Sequence, residues 1–176
     1  MHIAVDVGNT TIAFAVVDKN KILAVKRIDT NVKKESLRLQ LAGVLRGFKR
    51  RYGKFDQAII CSVVPRISGM IKNAVKAELG AKVFVVGEDV KVAMVNRYKN
   101  PRQVGQDRLV GAYAAMMLYG KPAIIIDLGT AITFNEPLHQ LSVPPRHNNH
   151  RTTLDLMLDK INKTAAQGTI TIEKPA

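Results

Sequence analysis

Two apolar runs in this chain each end in an aspartate that is followed by a glycine turn. The runs with their turns are residues 3–10, which contain Asp6, Gly8 and Thr10, and residues 123–130, which contain Asp127, Gly129 and Thr130. A buried strand that ends in this way places a carboxylate at the edge of a sheet, and the glycine lets a ligand approach the backbone. Because the hydroxyl and N–H groups of such turns donate well to phosphate, the repeated motif predicts a nucleotide held between two related half-folds.

The spacing of apolar residues gives a regular order of elements over the first half of the chain. Pro65 is expected to close a strand, and Gly80 to stop a helix. The predicted strands are residues 3–7, 12–17, 22–28, 58–64 and 83–86, and the predicted helices are 34–51 and 67–79. Three consecutive strands followed by helix, strand, helix and strand predict an α/β layer fold that begins with a meander.

A second set of elements follows a polar segment. Residues 87–104 are rich in polar groups and predict a loop, after which a helix is predicted over residues 106–119. Strands are then predicted at 123–128 and 131–134, joined by the second glycine turn. We therefore expect a second domain to open near residue 101.

The composition excludes a membrane-spanning or disulfide-stabilised protein. No apolar stretch approaches the roughly 20 residues that a membrane helix requires, and Asp6 interrupts the first apolar run before a signal pattern can form. The single cysteine, Cys61, excludes an internal disulfide. We therefore expect a cytoplasmic protein with no membrane partner.

The chain carries a formal net charge of +13, and this charge has two interpretations. Its densest cluster contains no acid and consists of Arg46, Lys49, Arg50, Arg51 and Lys54. The cluster is either a footprint for nucleic acid or phosphorylated ligands, or a solvated face at the end of a helix. We favour the solvated face and expect no nucleic-acid partner, because no recognised nucleic-acid motif accompanies the cluster.

Several motifs taken together resemble a known family. They are the first glycine turn with its aspartate (residues 6–10), the run Cys61-Ser62-Val63-Val64-Pro65, the box Gly105-Gln106-Asp107-Arg108 at a predicted helix start, and residues 127–134. In this combination the chain resembles the type III pantothenate kinases over residues 1–134. The Gly-x-Asp-Arg box is the most specific part of the resemblance, because it occurs with both phosphate turns in the right order.

The resemblance implies a fold and a reaction. Type III pantothenate kinases belong to the actin-like ATPase superfamily, in which two ribonuclease-H-like domains clasp ATP. The implied α/β fold is a ribonuclease-H-like domain with the phosphate loop at 1–100, followed by an incomplete second domain of the same type at 101–176. The implied reaction is the ATP-dependent phosphorylation of pantothenate to 4′-phosphopantothenate, the first step of coenzyme A biosynthesis, in a homodimer.

The resemblance also implies which residues bind ATP and its ions. Asp6 is implied to lie near the Mg²⁺ that accompanies ATP, and Asp127 to help bind a monovalent cation, K⁺ or NH₄⁺. A purely structural carboxylate at a strand end is the plainer interpretation of Asp127. The implied nucleotide-binding residues are Asp6, Val7, Gly8, Asn9, Thr10, Thr11, Ile12, Ala13 and Thr130.

The residues that the resemblance assigns to pantothenate are Tyr98, Gly105, Gln106, Asp107 and Arg108. Asp107 is implied to be the general base that takes the proton of the pantothenate hydroxyl, and a helix start favours the ionised carboxylate that this step needs. Arg108 suits the carboxylate of the substrate. Plainer interpretations stay open: Asp107 as a helix N-terminal carboxylate, Arg108 as a surface ion pair and Tyr98 as a half-exposed aromatic.

The sequence departs from the family pattern after Phe134. Family members continue with a glycine-rich loop, whereas the atypical residues 135–153 contain no glycine. We interpret the nearby His139, His147 and His150 as chance composition, because they lack acidic or cysteine partners at metal-ligand spacing. Our hypothesis for this segment is a locally scrambled reading frame between two intact family segments, which sequencing the coding DNA would test.

Two functional hypotheses follow from the resemblance and the departure. Family members extend beyond the length of this chain, so we expect an incomplete catalytic architecture with unpaired strand edges. The first hypothesis is a type III pantothenate kinase. The second is a catalytically inactive truncated remnant or a regulatory binding protein of the same family, a use that the net charge would suit. The absent glycine-rich loop favours the second for this chain, whereas the ancestral function remains the first.

Overall fold

The structure is a computed structural model that describes residues 1–19, 21–119, 125–128, 132–135 and 141–142. The chain divides into two compact units, Met1–Val90 and Lys91–Ala176. No helix in the described part of the chain is long and apolar enough to cross a membrane.

The first unit is built on a five-stranded mixed sheet with the strand order β3-β2-β1-β4-β5. The strands are β1 (His2–Val7), β2 (Thr11–Asp18), β3 (Lys21–Asp29), β4 (Gln57–Ser62) and β5 (Lys82–Val85), and the helices are α1 (Lys34–Tyr52) and α2 (Pro65–Leu79). β2 runs antiparallel to β1 and β3, whereas β1, β4 and β5 are parallel. The predicted element order of this half of the chain is confirmed.

The core of this unit lies between one face of the sheet and the two helices. Alternate residues of the strands point into it, and so do residues at helical spacing in α1 and α2. The main contributors are Ile3, Val5, Val7, Ile12, Phe14, Val16, Leu37, Leu41, Leu45, Ile60, Ile67, Ile71 and Val75. Since a slip by one residue would turn these side chains to the other face, burial fixes the register of β1 against β4. Val7 and Ser62 are therefore partners at the carboxyl edge of the sheet.

The connection from β4 to α2 differs from the prediction. The strand ends at Ser62 instead of continuing to Val64, and Pro65 is the first residue of α2. The Ser62 hydroxyl accepts the Val64 N–H at 3.1 Å and bonds to the Ser68 hydroxyl at 2.7 Å. Pro65 therefore starts a helix, where its missing N–H costs nothing.

The basic cluster lies at the end of α1, where part of it contacts α2. Arg46 donates two hydrogen bonds of 2.9 Å to the Glu78 carboxylate, and Lys49 donates to the Glu78 carbonyl at 2.9 Å. Hydrogen bonding to Arg46 lowers the pKa of Glu78. Lys49, Arg50 and Arg51 occupy the last helical turn, where cations suit the helix dipole. These contacts support the interpretation of the cluster as a helix end.

In the second unit the described residues form a long helix and short antiparallel strand pairs. Its elements are β6 (Val95–Asn96), a 3-10 turn (Pro101–Gln103), α3 (Gln106–Tyr119), β7 (Ile125–Leu128), β8 (Ile132–Asn135) and β9 (Leu141–Ser142). β7 pairs with β8, and β6 pairs with β9. The bounds predicted for α3 are confirmed. The predicted loop over 87–104 needs correction, because β6 and the 3-10 turn lie within it.

A small apolar cluster explains why the second unit begins before residue 101. Ala112, Ala115 and Ile125 form its buried part. Met94 and Tyr98 pack against it from the preceding segment. The domain assignment 1–100 and 101–176 stays a prediction.

Candidate active site

The first glycine turn connects β1 to β2, and we call residues 7–11, from the last residue of β1 to the first of β2, the β1–β2 loop. The Gly8 N–H donates to the Thr11 carbonyl at 3.0 Å, which closes the turn. Asn9 and Thr10 are exposed at its tip. The hairpin therefore presents polar groups at the carboxyl edge of the sheet, as the sequence predicts for a phosphate-binding element.

Contacts from β3 and β4 hold this loop from both sides. Thr30, which follows β3, donates its hydroxyl to the Gly8 carbonyl at 2.9 Å and its N–H to the Thr10 carbonyl at 2.8 Å. Val63, which follows β4, donates its N–H to the Val7 carbonyl at 3.0 Å. Sequence reasoning missed Thr30, because no local pattern links residues 22 positions apart.

Gly8 lies where a side chain would press on the turn. A Cβ atom at this position would be 3.2 Å from the Thr11 carbonyl oxygen, closer than an ordinary van der Waals contact. The same oxygen accepts the Gly8 N–H, so any outward shift would lengthen the bond that closes the turn. The glycine is therefore explained by the close approach of the backbone to itself.

Asp6 is half-buried in β1, one residue before the end of the strand. Its cross-strand partners are Ala13 in β2 and Cys61 in β4. Among the described residues, no group of three or more His, Cys, Asp or Glu could hold a metal ion alone. Mg²⁺ commonly takes one or two protein carboxylates and completes its shell with phosphate and water. A single carboxylate beside a glycine turn rich in N–H and hydroxyl groups therefore fits the requirements of a magnesium–nucleotide complex.

The Gly-x-Asp-Arg box forms the start of α3. Asp107 lies in the first turn, and its carboxylate accepts the Arg108 N–H at 2.8 Å. The Gly105 carbonyl accepts the Leu109 N–H at 3.3 Å, and Gln106 is the first residue of the helix. The Asp107 contact is the one expected of a helix N-terminal carboxylate. It is compatible with a role as a base, because an ionised carboxylate has several acceptor positions.

Arg108 and Tyr98 are brought together across the second unit. The Arg108 guanidinium donates to the Tyr98 hydroxyl at 3.4 Å, and its Cζ atom lies 5.6 Å from the centre of the Tyr98 ring. Both side chains are half-buried. A guanidinium beside an aromatic ring gains a cation–π attraction and keeps a defined direction. Two of the residues predicted to bind the substrate therefore contact each other.

Asn96 is a further residue that sequence reasoning missed. Its Oδ1 atom accepts the Tyr98 N–H at 3.1 Å, and its Nδ2 atom donates to the Pro101 carbonyl at 3.1 Å. These bonds fix the backbone on both sides of the loop that carries Tyr98. The available signal was an asparagine two residues before the aromatic, the spacing of an Asx turn.

The remaining predicted residues are described less fully. Asp127 lies in β7 opposite Thr133 of β8. Thr130 lies outside the described residues, as do His139, His147 and His150 and most of the atypical segment. The structure thus places residues 6–13 in the first unit and groups Tyr98 with the Gly-x-Asp-Arg box in the second.

Comparison with known proteins gives a consistent family. The family model for type III pantothenate kinases matches residues 2–136 of this chain. A type III pantothenate kinase of Finegoldia magna is 37% identical over 135 residues, which are 76% of this chain and 52% of that protein. Those of Persephonella marina and Moorella thermoacetica are 36% and 34% identical over 139 residues, which are 77% of this chain and 54% of each relative.

Likeness to solved structures is weaker. A ROK hexokinase from Thermus thermophilus has a TM-score of 0.43 at 17% identity, over 76% of this chain and 44% of that one. An Aquifex aeolicus member of the Ppx/GppA family has a TM-score of 0.40 at 14% identity, over 77% and 47%.

The family assignment therefore rests on the sequence match. The chain spans about half the length of the curated relatives it matches. The matched residues include the β1–β2 loop and the Gly-x-Asp-Arg box. The chain belongs to the type III pantothenate kinase family.

Proposed function

We propose that this chain acts in the phosphorylation of pantothenate to 4′-phosphopantothenate by ATP, the first step of coenzyme A biosynthesis. The observation that carries the proposal is the family match over residues 2–136. Two local geometries agree with it. They are the β1–β2 loop at the carboxyl edge of the sheet and Asp107 in the first turn of α3.

We further propose that the first unit is a ribonuclease-H-like domain and that the second begins another of the same type. The strand order β3-β2-β1-β4-β5, with only β2 reversed, supports the first part. The antiparallel pair of β7 and β8 supports the second part, because it repeats the pairing of β1 with β2.

In this proposal residues 6–13 hold the phosphates of ATP, and Thr130 contributes from the second unit. Backbone N–H groups and hydroxyls of the β1–β2 loop donate to phosphate oxygens. Asp6 offers a hard oxygen ligand to the Mg²⁺ of the nucleotide. The ion supplies neutralisation of the phosphate charge, which phosphoryl transfer requires.

Asp107 is the proposed base. Its carboxylate takes the proton of the pantothenate hydroxyl as the hydroxyl oxygen bonds to the γ-phosphorus of ATP. The bond from that phosphorus to the bridging oxygen breaks, and ADP leaves with the electron pair. Since this transfer needs mainly positioning and charge, one oriented carboxylate is sufficient as the base.

Arg108 is proposed to bind the carboxylate of pantothenate, and Tyr98, Gly105 and Gln106 to line the same pocket. The contact between Arg108 and Tyr98 supports this assignment, because it gives the guanidinium a fixed neighbour. Planar guanidinium groups suit two-point recognition of carboxylates.

The remaining assignments stay proposals that the family suggests. They are a monovalent cation, K⁺ or NH₄⁺, near Asp127, a homodimeric assembly and a cytoplasmic location. The buried thiol of Cys61 agrees with a reducing compartment.

The test is product formation by the purified 176-residue chain. The chain is incubated with ATP, Mg²⁺, K⁺ and pantothenate, and 4′-phosphopantothenate and ADP are measured by mass spectrometry. A reaction without pantothenate gives the background ATP hydrolysis. We expect both products in equal amounts. No product from folded protein that binds ATP would favour the alternative, a regulatory binding protein of the same family.

A further inference from the structure

Thr30 contacts the β1–β2 loop although it lies outside every segment assigned to a ligand. We propose that Thr30 is a positioning residue that sets the direction of the N–H groups of this loop toward the phosphates of the nucleotide. This inference rests on the proposed function, because it concerns the binding of ATP.

The first argument is the geometry of the peptide planes. In a planar trans peptide the C=O and N–H groups point in opposite directions. Thr30 binds the Gly8 carbonyl through its hydroxyl at 2.9 Å and the Thr10 carbonyl through its N–H at 2.8 Å. These two bonds direct the N–H groups of Asn9 and Thr11 away from Thr30. One residue thus orients two planes of the loop.

The second argument concerns the acceptors of the loop. The Val7 carbonyl accepts the Val63 N–H, and the Thr11 carbonyl accepts the Gly8 N–H, both at 3.0 Å. With the two carbonyls that Thr30 binds, four carbonyl oxygens of residues 7–11 have protein donors. Carbonyl oxygens directed at a phosphate would repel it, so holding them inward makes the loop a set of donors.

The third argument is burial. Thr30 is a polar residue, yet it is only 4% exposed. A buried hydroxyl requires a partner, and here the partner is the Gly8 carbonyl of the loop. Removing the hydroxyl leaves that carbonyl without this donor, so the plane between Gly8 and Asn9 is free to rotate.

The test compares three substitutions at this position with one in the core. Thr30→Val replaces the hydroxyl by a methyl group of similar shape, and Thr30→Ala removes it without adding bulk. Thr30→Ser keeps the hydroxyl. All three keep the backbone N–H. Ile71→Val, in the core at the middle of α2, is the control for a loss of stability by a substitution outside the loop.

The measurement is the Kd of MgATP for the full 176-residue chain by calorimetry, together with the Tm of each variant. We expect Kd to rise about tenfold for Thr30→Val and Thr30→Ala, since one hydrogen bond in the site is lost. The Kd of the Thr30→Ser variant should stay within about threefold of the wild-type value. Ile71→Val should lower Tm and leave Kd unchanged.

The outcomes separate this inference from the proposed function. If wild type binds MgATP and Thr30→Val and Thr30→Ala bind it equally well, the inference is wrong and the proposed function stands. The same conclusion follows if Ile71→Val weakens binding as much as they do at equal loss of Tm. If folded wild type does not bind MgATP, the proposed function fails and the inference falls with it.

Discussion

The β1–β2 loop and the start of α3 are both candidate binding elements, but different kinds of contact hold them. The loop is fixed by backbone carbonyls that accept bonds from Thr30 and Val63, which follow two other strands of the sheet. The start of α3 depends on side chains, since Arg108 contacts Tyr98, whose own backbone is tied by Asn96.

This difference indicates how each element responds to substitution. Backbone bonds within a sheet persist when most side chains change, so the loop is vulnerable mainly at Gly8, where shape is fixed, and at Thr30, whose hydroxyl supplies one of the bonds. A guanidinium held by an aromatic neighbour is altered by any change in either partner. We therefore expect substitutions in the loop to act on ATP binding, and those near α3 to act on pantothenate binding.

The largest effect that separates the two elements is expected for Arg108→Ala. Loss of a hydrogen-bonded charge from the substrate carboxylate costs about 1.5–3 kcal/mol, so the KM for pantothenate should rise about 10- to 100-fold. The KM for ATP should not change. These KM values are measured by steady-state kinetics, with pantothenate and with its uncharged alcohol analogue, pantothenol, as substrates. An equal loss with both compounds would contradict carboxylate binding by Arg108.

Gly8→Ala tests the β1–β2 loop, the other element of the comparison. The added Cβ would lie 3.2 Å from the Thr11 carbonyl, so the turn must shift, and we expect the Kd of MgATP to rise about tenfold. Gly43→Ala in α1 is the matched control, because nothing lies within 4 Å of its added Cβ. That control should raise stability by about 0.5–1 kcal/mol. Unchanged ATP binding by Gly8→Ala would show that the turn tolerates a side chain.

A smaller effect is expected for Tyr98→Phe, which keeps the ring under Arg108 and loses a hydrogen bond of 3.4 Å. Because that bond is long, the KM for pantothenate should rise less than about threefold. Tyr98→Ala also removes the cation–π contact, worth about 0.5–1 kcal/mol, and should have the larger effect. If both variants behave like wild type, the ring does not position Arg108.

The smallest effect is expected for Asp89→Asn, which belongs to neither element. The Asp89 carboxylate accepts the Val85 N–H at 2.8 Å and a bond from Lys72 at 3.1 Å, and these contacts lower its pKa. Because the pKa of Asp89 is lower in the folded chain than in the unfolded chain, its charged carboxylate stabilises the fold at pH values above the unfolded pKa. This stabilisation is lost as the pH falls through the folded pKa. The Tm difference from wild type should therefore be largest near pH 7 and shrink below about pH 4. A difference that is independent of pH would contradict the role of the charge.

The sequence predicted the elements better than the contacts between them. The bounds of α3 and the order of the elements along the chain followed from apolar spacing, because burial of one face imposes that spacing on the chain. Thr30 and Asn96 were missed, because their roles depend on hydrogen bonds to backbone groups that only the folded chain brings near. Pro65 was assigned to a strand end, although proline is equally suited to the first turn of a helix.

The roles proposed for Asp107 and Arg108 come from the family resemblance and not from local pattern. A carboxylate at a helix start is common for structural reasons, and the bond from the Arg108 N–H is of that kind. The proposed role of Asp107 as the base therefore rests on the family match.

The most direct test of this role is the rate of pantothenate-dependent ADP release by wild type and by Asp107→Asn. The asparagine can still accept the Arg108 N–H, so the helix start is preserved while the base is removed. If Asp107 is the base, the rate is about 10²- to 10⁴-fold lower for the variant, with binding of MgATP unchanged. A folded Asp107→Asn variant that releases ADP as fast as wild type would contradict it.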